Sequence, residues 1–187
     1  METVTHDGRE TAYRFTRASG DGPTVLYVHG SGRTHRVWAP QCAPGGPSHP
    51  AAALELSGHG ESKDIGTLAG AETLNADADA GTRARSIATM RGVGQLVTER
   101  DFLSCHGFDV RGRVATIDVP VLALVGEHDQ LTPPAYHEDL AAELPTAELC
   151  ALDDATHLAM LERPAAFNTA VESSLGAQYW RRLQRGT

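Results

Sequence analysis

Thr24-Val25-Leu26-Tyr27-Val28-His29-Gly30-Ser31-Gly32 begins as a nearly continuous apolar run and stops abruptly at a glycine-rich turn. Such a short, aliphatic run without polar alternation predicts a strand covered on both faces, as in a parallel sheet. Working upstream, Glu2 to His6 and Glu10 to Thr16 flank Asp7-Gly8, a dipeptide suited to a tight two-residue turn, so the N-terminus reads as an antiparallel hairpin. Working downstream, a helical turn is expected around Arg36 to Trp38, then an irregular loop from Gln41 to Pro50, rich in proline and glycine. Ala51 to Leu56 reads as a second buried strand, though alanine is a poor strand former. It too runs into a glycine loop, Ser57-Gly58-His59-Gly60-Glu61-Ser62.

The second half repeats this grammar. Ala71 to Ala80 is helix-compatible, and a longer helix is expected from about Thr82 to Phe102, with Ile87, Met90, Leu96 and Val97 on one face and Gly92 and Gly94 weakening it. Val119 to Val125 predicts a third buried strand, with Pro120 tolerated at its start. Thr132-Pro133-Pro134 looks like a helix entrance, threonine as cap and proline in the first turn, and that helix should end near Leu144-Pro145. Glu148 to Leu152 predicts a fourth strand, and Pro164 to about Leu175 a closing helix. Strands alternating with helices, and loops with polar residues after the strands, indicate the α/β class.

The 187 residues suffice for one self-supporting domain, taken as 1–187. The formal charge of −8 argues against a phosphate backbone as partner, so no nucleic acid is expected. No apolar run approaches a membrane span, and Met1 leads into polar residues, so neither a membrane nor a secretory leader is expected. Cys42, Cys105 and Cys150 are widely spaced and odd in number, which suits a reduced, cytoplasmic setting.

Four segments in order carry a resemblance. They are Val25 to Gly32; Leu56 to Ser62; Leu122-Ala123-Leu124-Val125-Gly126-Glu127-His128-Asp129; and Ala155-Thr156-His157 through Arg163-Pro164. Together they resemble the α/β-hydrolase superfamily: its oxyanion-loop strand, its leucine-proline-glycine-histidine-glycine-x-serine turn (with Ser57 in place of proline), its acid-bearing strand and its histidine loop. The resemblance implies a hydrolase of carboxylic esters or related acyl compounds acting on a small molecule, without a cofactor. It makes Asp129 the orienting acid, His157 the general base, and His29, Gly30, Ser31 and Gly32 the oxyanion and substrate-binding loop. His59 is read as a turn residue bonding to backbone. A metal site drawn from His29, His59, His128, Asp129 or His157 lacks any close-packed ligand motif, so no metal is expected.

One part of the pattern is missing. The family nucleophile sits on a Gly-x-Ser-x-Gly elbow, and no serine or cysteine of this chain has glycine both two residues before it and two residues after it. Ser31, Ser57 and Ser104 remain as possible substitutes, and none is on such an elbow. A complete member needs roughly another 70 residues, and the shortfall falls near Ala78 to Gly81, with 82–113 resembling remnant cap and connector. The expected architecture is therefore a shortened, mainly parallel sheet with flanking helices and an N-terminal hairpin, in which strands 24–28 and 121–125 pair directly in parallel, or else leave open edges for a homodimer. The expected activity is impaired. The competing expectation is a non-catalytic module binding a small ligand or a protein partner, and Arg181, Arg182 and Arg185 are read as a solvated tail.

Overall fold

A computed structural model describes residues 1–6, 9–16, 24–43, 49–56, 59–62, 80–106 and 109–185. They pack as two compact units, Met1–Phe108 and Asp109–Thr187.

In the first unit β1 (Glu2–His6) and β2 (Arg9–Thr16) form the expected hairpin, in register from Glu2 opposite Tyr13 to His6 opposite Arg9. The tip, residues 7 and 8, lies outside the described residues. β3 (Val25–Val28) leads through a 3-10 turn (His35–Trp38) and α1 (Ala39–Cys42) to β4 (Ala51–Leu54). The strand order is β1-β2-β4-β3, with β3 parallel to β4 and β2 antiparallel to it. This sheet is thus mixed rather than fully parallel, because the second hairpin strand lies along β4. Ala51 and Ala53 are fully buried between their neighbours, so burial on both sides overrides alanine's weak strand preference. Tyr27, opposite Ala53 in the parallel ladder, packs with Cys42 and the Trp38 ring, whose centroid is 5.0 Å from its own.

The helix expected over Thr82–Phe102 is two helices, α2 (Ala80–Val93) and α3 (Gln95–His106). Gly94 separates them at φ +92°, a backbone angle that glycine alone adopts without strain and that ends a right-handed helix. Val97 is buried and Ile87 half-buried. The Met90 and Leu96 side chains, and the helix read over 71–79, lie outside the description.

The second unit contains a 3-10 turn (Arg111–Thr116), β5 (Val121–Gly126), α4 (Pro134–Glu143), β6 (Ala147–Leu152), α5 (Ala159–Glu162) and α6 (Pro164–Arg185). β5 and β6 pair in parallel, from Val121 opposite Ala147 to Gly126 opposite Leu152, and α4 is the crossover that such a pair requires. Leu152, Ala155 and Ala159 form the core, with Leu124, Cys150 and Phe167 against them. α6 runs past the expected end near Leu175, so Arg181, Arg182 and Arg185 belong to a helix and not to a tail.

The direct ladder expected between strands 24–28 and 121–125 is absent among the described residues. β3 pairs with β4 and β5 with β6, in separate sheets. Each parallel ladder joins strands linked by one local helical crossover, the pairing with the smallest loop to close.

Candidate active site

β5 ends at Gly126, and the turn after it is pinned at three successive backbone N–H groups: Glu127 to the Leu152 carbonyl, His128 to the Ala155 carbonyl and Asp129 to the Gly126 carbonyl. That turn places the Asp129 side chain, 5% exposed, in a pocket of donors. Its Oδ1 accepts from the backbone N–H of Leu131 (2.9 Å) and of Thr132 (3.0 Å). Its Oδ2 accepts from the Thr132 hydroxyl (2.8 Å) and from His157 Nδ1–H (3.0 Å). Burial pushes the Asp129 pKa upward. The hydrogen bonds from the Thr132 N–H, His157 and the Thr132 hydroxyl outweigh it and hold the carboxyl below its ordinary range.

Thr132 is not the helix cap expected from its position. Pro133 is the N-cap residue of α4, with no side-chain cap bond, because the carboxylate of Asp129 competes for the Thr132 hydroxyl and offers it a charged acceptor. The hydroxyl also lies 3.5 Å from His157 Nδ1, closing a three-residue cluster. Because the folded pKa of Asp129 is depressed, its stabilising contribution is full above the unfolded value, about 3.9, and is lost as pH falls through the folded value. Thr132→Val removes one donor. The expected result is an Asp129 pKa moved up toward the unfolded value and a loss of about 1 kcal/mol at neutral pH, checked by NMR titration of the Asp129 carboxyl carbon.

His157 arrives on the loop between β6 and α5. Thr156 anchors that loop by donating its N–H (2.5 Å) and hydroxyl (2.7 Å) to the two Glu162 oxygens. A Cβ at Gly126 would fall on the carbonyl oxygens of Thr156 and Ala155, so glycine there is what lets the loop approach the strand end. With Nδ1 turned to Asp129 and the side chain 34% exposed, His157 leaves Nε2 as the ring nitrogen for chemistry. An acceptor Nε2 with a carboxylate fixing its tautomer is the arrangement of a general base. No serine hydroxyl is hydrogen-bonded to His157 among the described residues.

The first unit holds the loop His29 to Gly32. Leu56 N–H donates to His29 Nε2 (3.1 Å), so Nδ1 carries the proton and donates to the Gly30 carbonyl (2.9 Å). Burial lowers the His29 pKa, partly countered by the Gly30 carbonyl, which fits this neutral, strut-like role. Gly30 accepts from Arg33 N–H across the turn, and Gly32 sits at φ +65°. The Gly32 N–H is already taken by Asp101 Oδ2 (3.2 Å), and Ser31 Oγ is 4.0 Å from Cys105 Sγ.

His59 sits in the expected turn, its N–H donating to the Leu56 carbonyl and its carbonyl accepting from the Ser62 N–H, and its side chain reaches further. Its Nε2 donates to Asp101 Oδ2 (3.0 Å), and its ring centroid lies 4.8 Å from that of His29. Glu55 is 1% exposed and accepts from His35 Nδ1 (2.5 Å), from the His35 N–H (3.3 Å) and from the Glu61 N–H.

The structure thus brings Asp129 and His157 into contact within the second unit, and gathers His29, Gly30, Ser31 and Gly32 into one loop of the first. Sequence reading missed Thr132, Glu162, Asp101 and the His35–Glu55 pair. Of these, Thr132 carried a signal, since a hydroxyl three residues after a strand-end aspartate is placed to close a local turn on it. Among the described residues no three His, Cys, Asp or Glu side chains converge as metal ligands, and no helix is long and apolar enough to cross a membrane.

No protein-family model matches the chain. A stretch of 86 residues is 33% identical to a protein of Agrobacterium fabrum named as a carbamate hydrolase, RutD, spanning 46% of this chain and 32% of that protein. The match therefore covers about a third of the length of this curated relative. Solved structures align far more widely. A thermophilic esterase gives a TM-score of 0.77 at 20% identity, over 94% of this chain and 97% of its own. A hydrolase from Pseudomonas aeruginosa PA01 gives 0.77 at 19% identity, over 94% and 98%. The enol-lactonase from Burkholderia xenovorans LB400 gives 0.71 at 20% identity, over 94% and 100%.

Proposed function

From the α/β-hydrolase fold that the chain shares with these esterases and lactonases, we propose that it is a hydrolase of small carboxylic esters or related acyl compounds, with Asp129 and His157 as its working pair. The observation that carries this reading is the contact of His157 Nδ1 with Asp129 Oδ2 at 3.0 Å, with the carboxylate buried and the imidazole half open. In the mechanism, His157 Nε2 takes a proton from water as that water attacks the acyl carbon, and Asp129 stabilises the imidazolium that forms. The proton then passes from Nε2 to the departing alkoxide. Within the first unit, the loop from His29 to Gly32, which the family resemblance makes the oxyanion loop, offers the backbone N–H groups near Gly30 and Ser31, since the Gly32 N–H is engaged by Asp101.

Without a Gly-x-Ser-x-Gly nucleophile in the sequence, turnover is impaired and passes through no acyl-serine. Intact-protein mass spectrometry during hydrolysis of an activated acetyl ester, and after exposure to a fluorophosphonate, tests this. The expected result is product release with no covalent adduct. A stoichiometric adduct on a serine overturns the water mechanism. Absence of turnover together with saturable ligand binding favours the non-catalytic reading, to which the missing elbow also points.

A further inference from the structure

The first unit's sheet carries an arginine where its core pattern calls for an apolar residue. Arg14 stands directly opposite Ala53 in the β2–β4 ladder, two residues along the strand from Ala12. Cross-strand partners, and residues two apart, project to the same face. Ala12 and Ala53 are both fully buried, so Arg14 projects to their side of the sheet, where it and Arg36 remain exposed at the cavity. On that face lies a cavity of about 230 Å³, lined on its polar side by Arg14, His35 and Arg36 and elsewhere by Cys42, Ala39, Ala43 and Ala53.

The charges of this cavity are one-sided. Among the described residues no carboxylate lines it, and neither arginine has an ion-pair partner. Glu55, which contacts His35, is engaged by His35 Nδ1 and by the N–H groups of His35 and Glu61, so Nε2 is the His35 nitrogen that Glu55 leaves open. Burial raises the Cys42 thiol pKa against the opposing pull of Arg14, which keeps the thiol neutral and supplies no counter-anion. Two guanidinium groups without an ion-pair partner among the described residues thus face one cavity, and guanidinium matches a carboxylate through paired hydrogen bonds. The remaining wall is methyl groups and a thiol, which favours an aliphatic tail. At roughly 30 Å³ per water molecule, the cavity suits an acid of a few carbons and excludes a long acyl chain.

We propose that this cavity binds a short-chain aliphatic carboxylate, its carboxylate on Arg14 and Arg36 and its tail against Ala39, Cys42, Ala43 and Ala53. The site lies wholly within the first unit and does not depend on the Asp129–His157 pair. Titration of the full chain with butyrate, followed by calorimetry, tests it. Saturable binding at one site per chain is expected, weaker by about tenfold in Arg14→Gln through the loss of one charged hydrogen-bonding partner. Ala43→Leu, a change at an exposed position on the rim, is expected to fill the cavity and abolish binding. His157→Ala is expected to bind butyrate as the unaltered chain does, and inorganic phosphate to bind more weakly than butyrate. No saturation with butyrate overturns the proposal. So does unchanged affinity in both cavity variants when circular dichroism shows them folded, loss of binding in His157→Ala, or phosphate binding at least as tightly as butyrate.

Discussion

Asp129→Asn lowers kcat/KM on short activated acyl esters by about 10²- to 10⁴-fold, the range set by loss of an oriented general base. The reason is local. Oδ2 of Asp129 accepts from His157 Nδ1 (3.0 Å) while Oδ1 is held by two backbone N–H groups. An asparagine that keeps its oxygen on those N–H groups turns its NH₂ toward His157. The imidazole must then accept at Nδ1 and carry its proton on Nε2, which is the wrong tautomer for a base acting through Nε2. The side chain keeps its size, so the fold is retained and the effect falls on rate. Steady-state kinetics with a p-nitrophenyl ester and circular dichroism on the same preparation check this. A loss below about threefold, with the fold intact, contradicts the assignment, because far more is expected of a working base.

Glu55→Ala destabilises the first unit by about 3–5 kcal/mol, the magnitude for breaking one half of a buried pair. Glu55 is 1% exposed, and its loss strands His35 Nδ1 together with the N–H groups of His35 and Glu61. The position is also sterically fixed: a Cβ at Gly60 (φ +52°) would fall on the Glu55 carboxylate. Burial pushes the Glu55 pKa upward, but the His35 hydrogen bond and the Glu61 N–H prevail and hold it below the ordinary value. The stabilisation it gives is therefore present above the unfolded carboxyl pKa, about 4.3, and disappears as pH falls through the folded value. Urea unfolding followed by amide hydrogen exchange in β3 and β4 is the measurement. The difference between Glu55→Ala and the unaltered chain should shrink below about pH 4. A change under about 1 kcal/mol at neutral pH contradicts the burial argument.

The strands were legible in the sequence as short apolar runs ended by glycine loops, although β3 is not covered on both faces as expected: Tyr27 is buried while Leu26 and Val28 are exposed. Val25–Val28 and Val121–Gly126 stand out as such runs, and Ala51–Leu54 reads as a buried strand despite alanine's weak strand preference. Pairing was less legible. Register and sheet order depend on which strands one crossover joins, and nothing in the run 24–28 announces β4 as its partner in place of β5. The break at Gly94 was foreseen as a weakness but not as a terminus, since only the observed φ of +92° distinguishes a tolerated helical glycine from one that ends the helix.

The contact of Asp129 with His157 followed from motif order, whereas its supporting bonds did not. Thr132 was assigned to α4 because threonine before proline is a common helix entrance, yet its hydroxyl turned back to the stronger, charged acceptor. Asp101 and His35 were invisible for a different reason. Each meets its partner across a long sequence separation, His59 for Asp101 and Glu55 for His35, and no local spacing encodes such a meeting.

The central claim is that the Asp129–His157 pair drives acyl-ester hydrolysis without a nucleophilic elbow. Its most direct test is the initial rate of p-nitrophenyl acetate hydrolysis by the full chain and by His157→Ala, each at equal concentration against buffer alone. A rate above buffer for the unaltered chain that falls to the buffer rate in His157→Ala is the predicted result. A rate indistinguishable from buffer in both, or an excess that survives in His157→Ala, contradicts it.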